Sequence, residues 1–279
     1  MQKVAIVIPV YKEICHDWEK FALERCSHIL NRYQIIFFGP QTMKYDYYLN
    51  IVKDAEITTF DDRFFTSIES YSDLLLSKIF YESFLEYQYI LIYQLDAFVF
   101  EDKLSDWCDK NYDYIGAPWF KDYGQSMAEG LVGVGNGGFC LRNPRSCLEV
   151  LNSIRLKSLT KFSISQLSEF VANKFDRSST ITPVEKIVCK YVKNGISEDL
   201  FWGWEAVKFY PSFNVSPIED AIYFSFETGV QYIHEKYIDR SPFGCHAAWN
   251  VQMIYSFYQG QSPESDYERC LHQIIERFL

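Results

Sequence analysis

The sequence has no long basic run. Its 27 Lys and Arg stand against 37 Asp and Glu, for a net charge of −10, and a chain so balanced is not expected to bind nucleic acid. No apolar segment reaches the length of a membrane span. The eight cysteines form no CxxC pair and follow no regular spacing. That pattern argues against a disulfide framework or a zinc site, and for reduced thiols in a cytoplasm. A first strand beginning at Lys3 leaves no room for a signal peptide. The expected location is cytoplasmic, with a position against the inner face of a membrane still open. The glycine-rich stretch Glu129 to Gly138 is not followed by a Lys-Ser/Thr pair and does not sit in an N-terminal βα turn. A P-loop and a dinucleotide fingerprint are thereby excluded. No repeat or low-complexity tract is present.

What is there is an ordinary globular composition, 48% hydrophobic and 23% charged, with aromatics raised to 18%. The 21 Tyr and 23 Phe either furnish a Tyr-rich core or offer flat faces for sugar or base stacking. The 279 residues suffice for one large α/β domain. Lys3 to Pro9, Tyr33 to Phe38 and Glu56 to Phe60 read as strands, with a helix from Asp17 to Leu30 between the first two. That alternation predicts βαβ units and a mainly parallel sheet flanked by helices. Ser72 to Tyr87 predicts a long helix capped by Ser72, with Asp73 in its first turn and Leu75, Ile79, Phe80, Phe84 and Tyr87 on one face. Phe139 to Arg142 reads as a strand stopped by Asn143-Pro144, and Ala221 to Glu227 as another. We read one domain over residues 1–279. It carries a helical insertion at about 156–195, with pieces at Ser165–Lys174 and Pro183–Tyr191, and a helical tail at about 250–279.

The stretch around which the rest is organised is Tyr89 to Phe100, YILIYQLDAFVF. Its first half has the apolar, β-rich character of a strand buried on both faces. Gln94 and Asp96, two apart, project the same way where that strand ends. Ligand sites in open α/β sheets lie at such ends, so Asp96 either meets a cation or phosphate or caps a neighbouring loop. Gly133, Gly135, Gly137 and Gly138 form either a tight turn or a loop that lets backbone approach a ligand. Glu198 and Asp199, before Leu200-Phe201-Trp202, either favour a helix dipole or supply a general base. His246 lies among small residues, either in the core or reaching into a crowded site. Glu219, Asp220, Glu227 and His234 read as surface or structural positions.

Taken in order, KVAIVIPVY, YILIYQLDAFVF, NGGFCLRN, SEDLFWGW and FGCHAAW resemble the landmarks of GT-A-type nucleotide-sugar glycosyltransferases. The set is most similar to an uncharacterised bacterial GT-A-like group. The resemblance runs from Lys3 to about Trp249, and the stretch between Leu156 and Gly195 has no counterpart in it. It implies a GT-A-like, Rossmann-like fold. It also implies hexosyl transfer from a nucleotide-diphosphate sugar, a UDP-sugar favoured, to a glycan, glycoprotein or lipid-linked acceptor. A role in bacterial surface glycan or glycoprotein glycan synthesis follows from the same likeness.

By the resemblance, Asp199 is the base of an inverting reaction and Glu198 orients the acceptor. Asp96 meets Mn²⁺ or Mg²⁺ and the diphosphate, with Gln94 beside it, where the usual pattern has Asp, and His246 as a third ligand. Val10, Tyr11 and Glu13 line the nucleotide pocket. Gly137, Gly138 and Trp202 shape the acceptor side. Lys78 and Arg63, near strand ends, are candidates to neutralise the diphosphate. The rival readings are a retaining transferase, a nucleotidyltransferase, and a carbohydrate-binding protein on a transferase-like fold.

Overall fold

The computed structural model describes residues 2–120, 130–161, 197–229, 232, 233, 236 and 242–247. The fold is mixed α/β, built on a six-stranded, mainly parallel sheet. Its strands are β1 (Gln2–Pro9), β2 (Gln34–Pro40), β3 (Glu56–Phe60), β4 (Tyr87–Tyr93), β6 (Tyr114–Ile115) and β9 (Phe139–Arg142), in the order β3-β2-β1-β4-β9-β6. β1 pairs in parallel with both β2 and β4, and β2 with β3, while β9 runs antiparallel to β4 and β6.

The strand sequences explain the central placement of β1 and β4. Val4, Ile6 and Ile8 pack on one face with Tyr89, Leu91 and Tyr93. Ala5 and Val7 pack on the other with Ile90 and Ile92. Strands that are apolar on both faces must be covered on both. α1 (Asp17–Ile29) starts where the His16 amide donates to the Glu19 carboxylate at 2.8 Å. It docks through Arg25, whose guanidinium donates to the carbonyls of Val99 and Phe100.

From β1 the chain builds outward through β2 to β3, then returns to place β4 on the opposite side of β1. The carboxyl ends of β1 and β4 therefore flank a topological switch point, where open sheets leave a crevice.

A second, three-stranded sheet packs beside this crevice. It consists of β5 (Phe98–Val99), β10 (Ser225–Phe226) and β11 (Gly244–Cys245), with β11 in the middle. β11 is parallel to β10 and antiparallel to β5. A hairpin of β7 (Pro118–Phe120) and β8 (Leu131–Val134) completes the strands. β8 lies inside the glycine-rich stretch, four of whose ten residues are thus extended chain and not a loop.

Two expectations fail. After a short helix α2 (Asp46–Ile51), the helix expected from Ser72 to Tyr87 is broken into α3 (Ile68–Leu75) and α4 (Lys78–Glu82). Ser67, not Ser72, caps α3 by accepting from the Ser70 amide at 3.1 Å. The break falls at Ser77, which is buried and whose amide and hydroxyl both bond back to the Leu74 carbonyl. That local bonding competes with helix continuation. Ile79 is consequently exposed, while Leu75, Phe80, Phe84 and Tyr87 are core.

The strand expected from Ala221 to Glu227 is mostly a helix, Ile218–Phe224, followed by β10. Glu219 and Asp220 sit in its first turn, where carboxylates are favoured. Ile218, Ala221 and Ile222 give it helical spacing. The helices expected at Ser165–Lys174 and Pro183–Tyr191 and the tail from residue 250 lie outside the described residues, as does His234.

The six described cysteines are buried. Among the described residues, no helix is long and apolar enough to cross a membrane.

Candidate active site

A cleft of about 470 Å³ opens at the switch point. Pro9, Tyr11, Lys12 and Cys15 line it from the end of β1, and Gln94, Leu95 and Asp96 from the end of β4. Phe65, Ser67, Ile68 and Tyr71 close it from α3 and the turn before it, and Tyr48 adds an aromatic face. Aromatic walls with a few polar groups suit a flat organic ligand. Of the nucleotide-pocket residues expected from the sequence, Tyr11 lines the cleft and is exposed. Val10 is fully buried behind it, its amide bonded to the Phe38 carbonyl. Glu13 is exposed and is not among the lining residues, whereas Lys12 and Cys15 are.

At the inner wall, four residues from three distant segments meet. His246 Nε2 lies 3.2 Å from Asp96 Oδ1 and 3.1 Å from Gln94 Oε1, and its Nδ1 lies 3.0 Å from Glu227 Oε1. The small sheet sets this up. Register pairs Phe226 with Cys245 and Cys245 with Phe98. The residues just past those pairs therefore bring Glu227, His246 and the Asp96 turn into one row. Ala97 donates its amide to the Gln94 carbonyl, closing that turn. Ala247, with φ of 52°, bends the chain directly after His246; such left-handed alanines are rare and cluster at functional sites. Burial alone would lower the His246 pKa, but the Asp96 and Glu227 carboxylates raise it to about 10.

Gly137 and Gly138 join this cluster to the acidic pair. The Gly138 carbonyl accepts from the Gln94 amide at 2.8 Å, and a Cβ on Gly138 would lie 2.1 Å from His246 Nε2. One residue back, the Gly137 amide donates to Asp199 Oδ2 at 3.2 Å. Asp199 Oδ1 accepts from the Leu200 amide at 2.9 Å and from the Ser197 hydroxyl. Three donors thus hold this half-buried carboxylate at the start of a helix (Glu198–Leu200). The helix continues as a five-residue π turn, Phe201–Glu205. Such turns are rare and frequent at functional sites.

Glu198, expected to orient an acceptor, is turned inward. It is 5% exposed, and its Oε2 lies 2.7 Å from Arg142 Nη2. Arg142 is fully buried and also donates to the Tyr81 hydroxyl at 3.0 Å and to Cys140 Sγ. Burial pushes the Glu198 carboxyl up to about 7, while the Arg142 charge pulls against that shift. Gly137 is needed here, since a Cβ on it would stand 1.9 Å from Glu198 Oε1.

Trp202, expected on the acceptor side, is also core. It is fully buried, donates to the Leu75 carbonyl and packs edge-on against Tyr81. The partly exposed indole of this segment is Trp204, which lies over Gly133. Lys78 bonds to Asn152 on the helix Pro144–Lys161 and is not among the cleft residues. Arg63 sits over the Phe64 ring beside Asp61, also outside the lining.

Two residues of this site escaped the sequence reading in different ways. Arg142 had no signal beyond being charged at the end of an apolar strand. Glu227 reads in the sequence as structural; its one signal is its place just before Thr228-Gly229, at the end of a short β segment.

The fold is that of an open α/β domain with a crevice at its switch point. Residues 54–246 match the family described as "Protein of unknown function (DUF5672)", and the chain belongs to that family. No curated protein matches it in sequence. Solved structures to which the chain shows some similarity include core-mannan synthase A from Aspergillus fumigatus, in a Mn/GDP form. It is 10% identical over 52% of this chain and 60% of that one, with a TM-score of 0.38. The bifunctional glycosyltransferase WbbM, in its apo structure, is 11% identical over 98% and 52%, with a TM-score of 0.46. A cytidylyltransferase from Leptospira borgpetersenii serovar Hardjo-bovis is 12% identical over 99% and 95%, with a TM-score of 0.37. The chain spans about three-fifths of the first of these and about half of the second. At these scores the likeness extends to no residue's role.

Proposed function

We propose that the chain is a glycosyltransferase that moves a hexosyl group from a nucleoside-diphosphate sugar, a UDP-sugar favoured, to a hydroxyl of a glycan, glycoprotein or lipid-linked acceptor. One observation carries the reading. An aromatic-lined cleft at the switch point ends in Asp96, Gln94 and His246, and of the two adjacent glycines, Gly138 lies against His246 while the Gly137 amide donates to Asp199. The base and sugar occupy the cleft, with Tyr11 and Tyr71 offering stacking faces. Asp199 takes the proton of the attacking hydroxyl, and direct displacement inverts the anomeric centre.

The residues at the inner wall fit a divalent cation. Asp96 Oδ1 and Gln94 Oε1 both lie within 3.2 Å of His246 Nε2, an arrangement that needs a proton or a cation between them. A carboxylate, an amide oxygen and an imidazole suit Mn²⁺ or Mg²⁺. Among the described residues, no three His, Cys, Asp or Glu form a metal cage, so donor oxygens and water complete the shell. When bound, the cation supplies charge that stabilises the leaving diphosphate. A bacterial surface glycan or glycoprotein glycan is the proposed setting.

The test is product analysis with UDP-, GDP-, CMP- and dTDP-sugars. Release of a nucleoside diphosphate from a UDP-, GDP- or dTDP-sugar supports the reading; release of pyrophosphate from a nucleoside triphosphate, in a parallel assay with a sugar 1-phosphate, makes the chain a nucleotidyltransferase. Asp199→Asn is expected to keep donor binding and lose transfer by about 10²–10⁴-fold, the usual contribution of a general base. Transfer by that variant at the parental rate removes Asp199 from the mechanism.

A further inference from the structure

Glu227 is not needed to describe the cleft, yet it closes the far side of His246. The two residues follow directly on paired parallel strands, with Phe226 opposite Cys245. The His246 amide extends that pairing by donating to the Phe226 carbonyl at 3.1 Å. Backbone register thus places the Glu227 carboxylate 3.0 Å from Nδ1, while Nε2 faces Asp96 Oδ1 and Gln94 Oε1 at 3.2 and 3.1 Å. The ring is confined between them. Gly138 backbone lies against the Nε2 edge, and Ala247 turns the chain away at once. Rotating the imidazole by half a turn would set ring carbons against all three polar partners. An imidazole that ligates a metal through one nitrogen donates the other N–H to a carboxylate or carbonyl, which fixes the tautomer and raises ligand basicity.

We propose that Glu227 is a positioning residue: it accepts the Nδ1 proton of His246 and so commits Nε2 to a divalent cation shared with Asp96 and Gln94. The inference rests on the metal-site reading above and adds a residue that never touches the cation.

The experiment is titration of Mn²⁺ alone into the full chain, followed by calorimetry and by the Mn²⁺ electron paramagnetic resonance signal. Wild type, Glu227→Gln, Glu227→Ala and His246→Ala are compared. Glu227→Ala is expected to raise the Mn²⁺ dissociation constant about 10–100-fold, the usual cost of removing such a partner. Glu227→Gln is expected to fall between, because its amide oxygen still accepts from Nδ1. Thermal unfolding in chelator checks that each variant is folded; a purely structural Glu227 would lower that midpoint and leave the Mn²⁺ constant of folded protein unchanged.

If Glu227→Ala binds Mn²⁺ as wild type does, the inference is overturned while the metal site stands. If wild type binds no Mn²⁺, the inference and the metal site fall together. The transferase reading then rests on transfer measured in chelator. A second measurement needs no Glu227 variant. In Mg²⁺-loaded wild type, the nitrogen-15 signals absent from His246→Ala should show the proton on Nδ1. A proton on Nε2 overturns the inference.

Discussion

Arg142 and Glu198 stand 56 residues apart and meet in the core beneath Gly137. Removing a buried charge from water is costly, and the pair persists because each satisfies the other. Loss of one partner is more damaging than loss of both. The pH dependence has a definite sign. The Glu198 carboxyl sits at about 7 in the folded protein against 4.5 as its ordinary value, so the folded state holds its proton more tightly. The stability that this group contributes is full below about pH 4.5 and is lost as pH rises through 7. Urea unfolding across pH 4.5–6.5 should show the start of that decline in the wild type, and Glu198→Gln should reduce it. Gly138 makes a companion case at the other cluster. Gly138→Ala would press a methyl against His246 Nε2, at 2.1 Å as the backbone stands. Its expected effect is weakened Mn²⁺ binding, about tenfold or more by analogy with disturbed ligand support, read in the same titration.

Among the elements, α3 decides the shape of the cleft. Its first residues, with Ser67 before them, form one wall, and the Ser67–Ser70 exchange of hydrogen bonds anchors its start. Ser67→Ala is expected to cost about 1 kcal/mol, the usual loss of an N-cap, measured as a lower urea midpoint with unchanged slope. The break after α3 was hidden in the sequence because Leu75, Phe80, Phe84 and Tyr87 keep helical spacing across it. What ends the helix is a single serine hydroxyl bonding to a carbonyl three residues back, a choice that apolar periodicity does not register. β10 and β11, two residues each, are too short to be read from pattern. They form because β5 and the helix before β10 hold their partners in place.

For the whole molecule, the parallel order β3-β2-β1-β4 puts the cleft between the first strand and the one that follows the reversal. A ligand that binds only this assembled crevice stabilises the folded chain. At a hundred times its dissociation constant, the donor should add about 2.7 kcal/mol. For a chain of this size that is a rise of several degrees in unfolding midpoint, at roughly 2–4 °C per kcal/mol. A panel of nucleotide sugars, each with Mn²⁺ and with chelator, checks this. A shift that needs both nucleotide and metal is the expected result, and no shift with any donor would remove the nucleotide site.

The amino-acid sequence alone determined the strands β1, β2, β4 and β9, because strands buried on both faces must be written as apolar runs; β3, exposed over most of its length, is written instead by its β-branched residues. It also placed Gln94 and Asp96 at the end of β4, since the side-chain period of two and the exit from an apolar run are local properties. Only the tertiary structure decided which acidic residues face which partners. His246 reaches Gln94 across 152 positions through a three-stranded sheet with almost no sequence signature. Glu198 and Asp199 are adjacent, yet one turns inward to Arg142 and the other out to the Gly137 amide. Neighbouring side chains on a helix point about 100° apart, and the direction that meets a buried cation is fixed by the packing of distant strands.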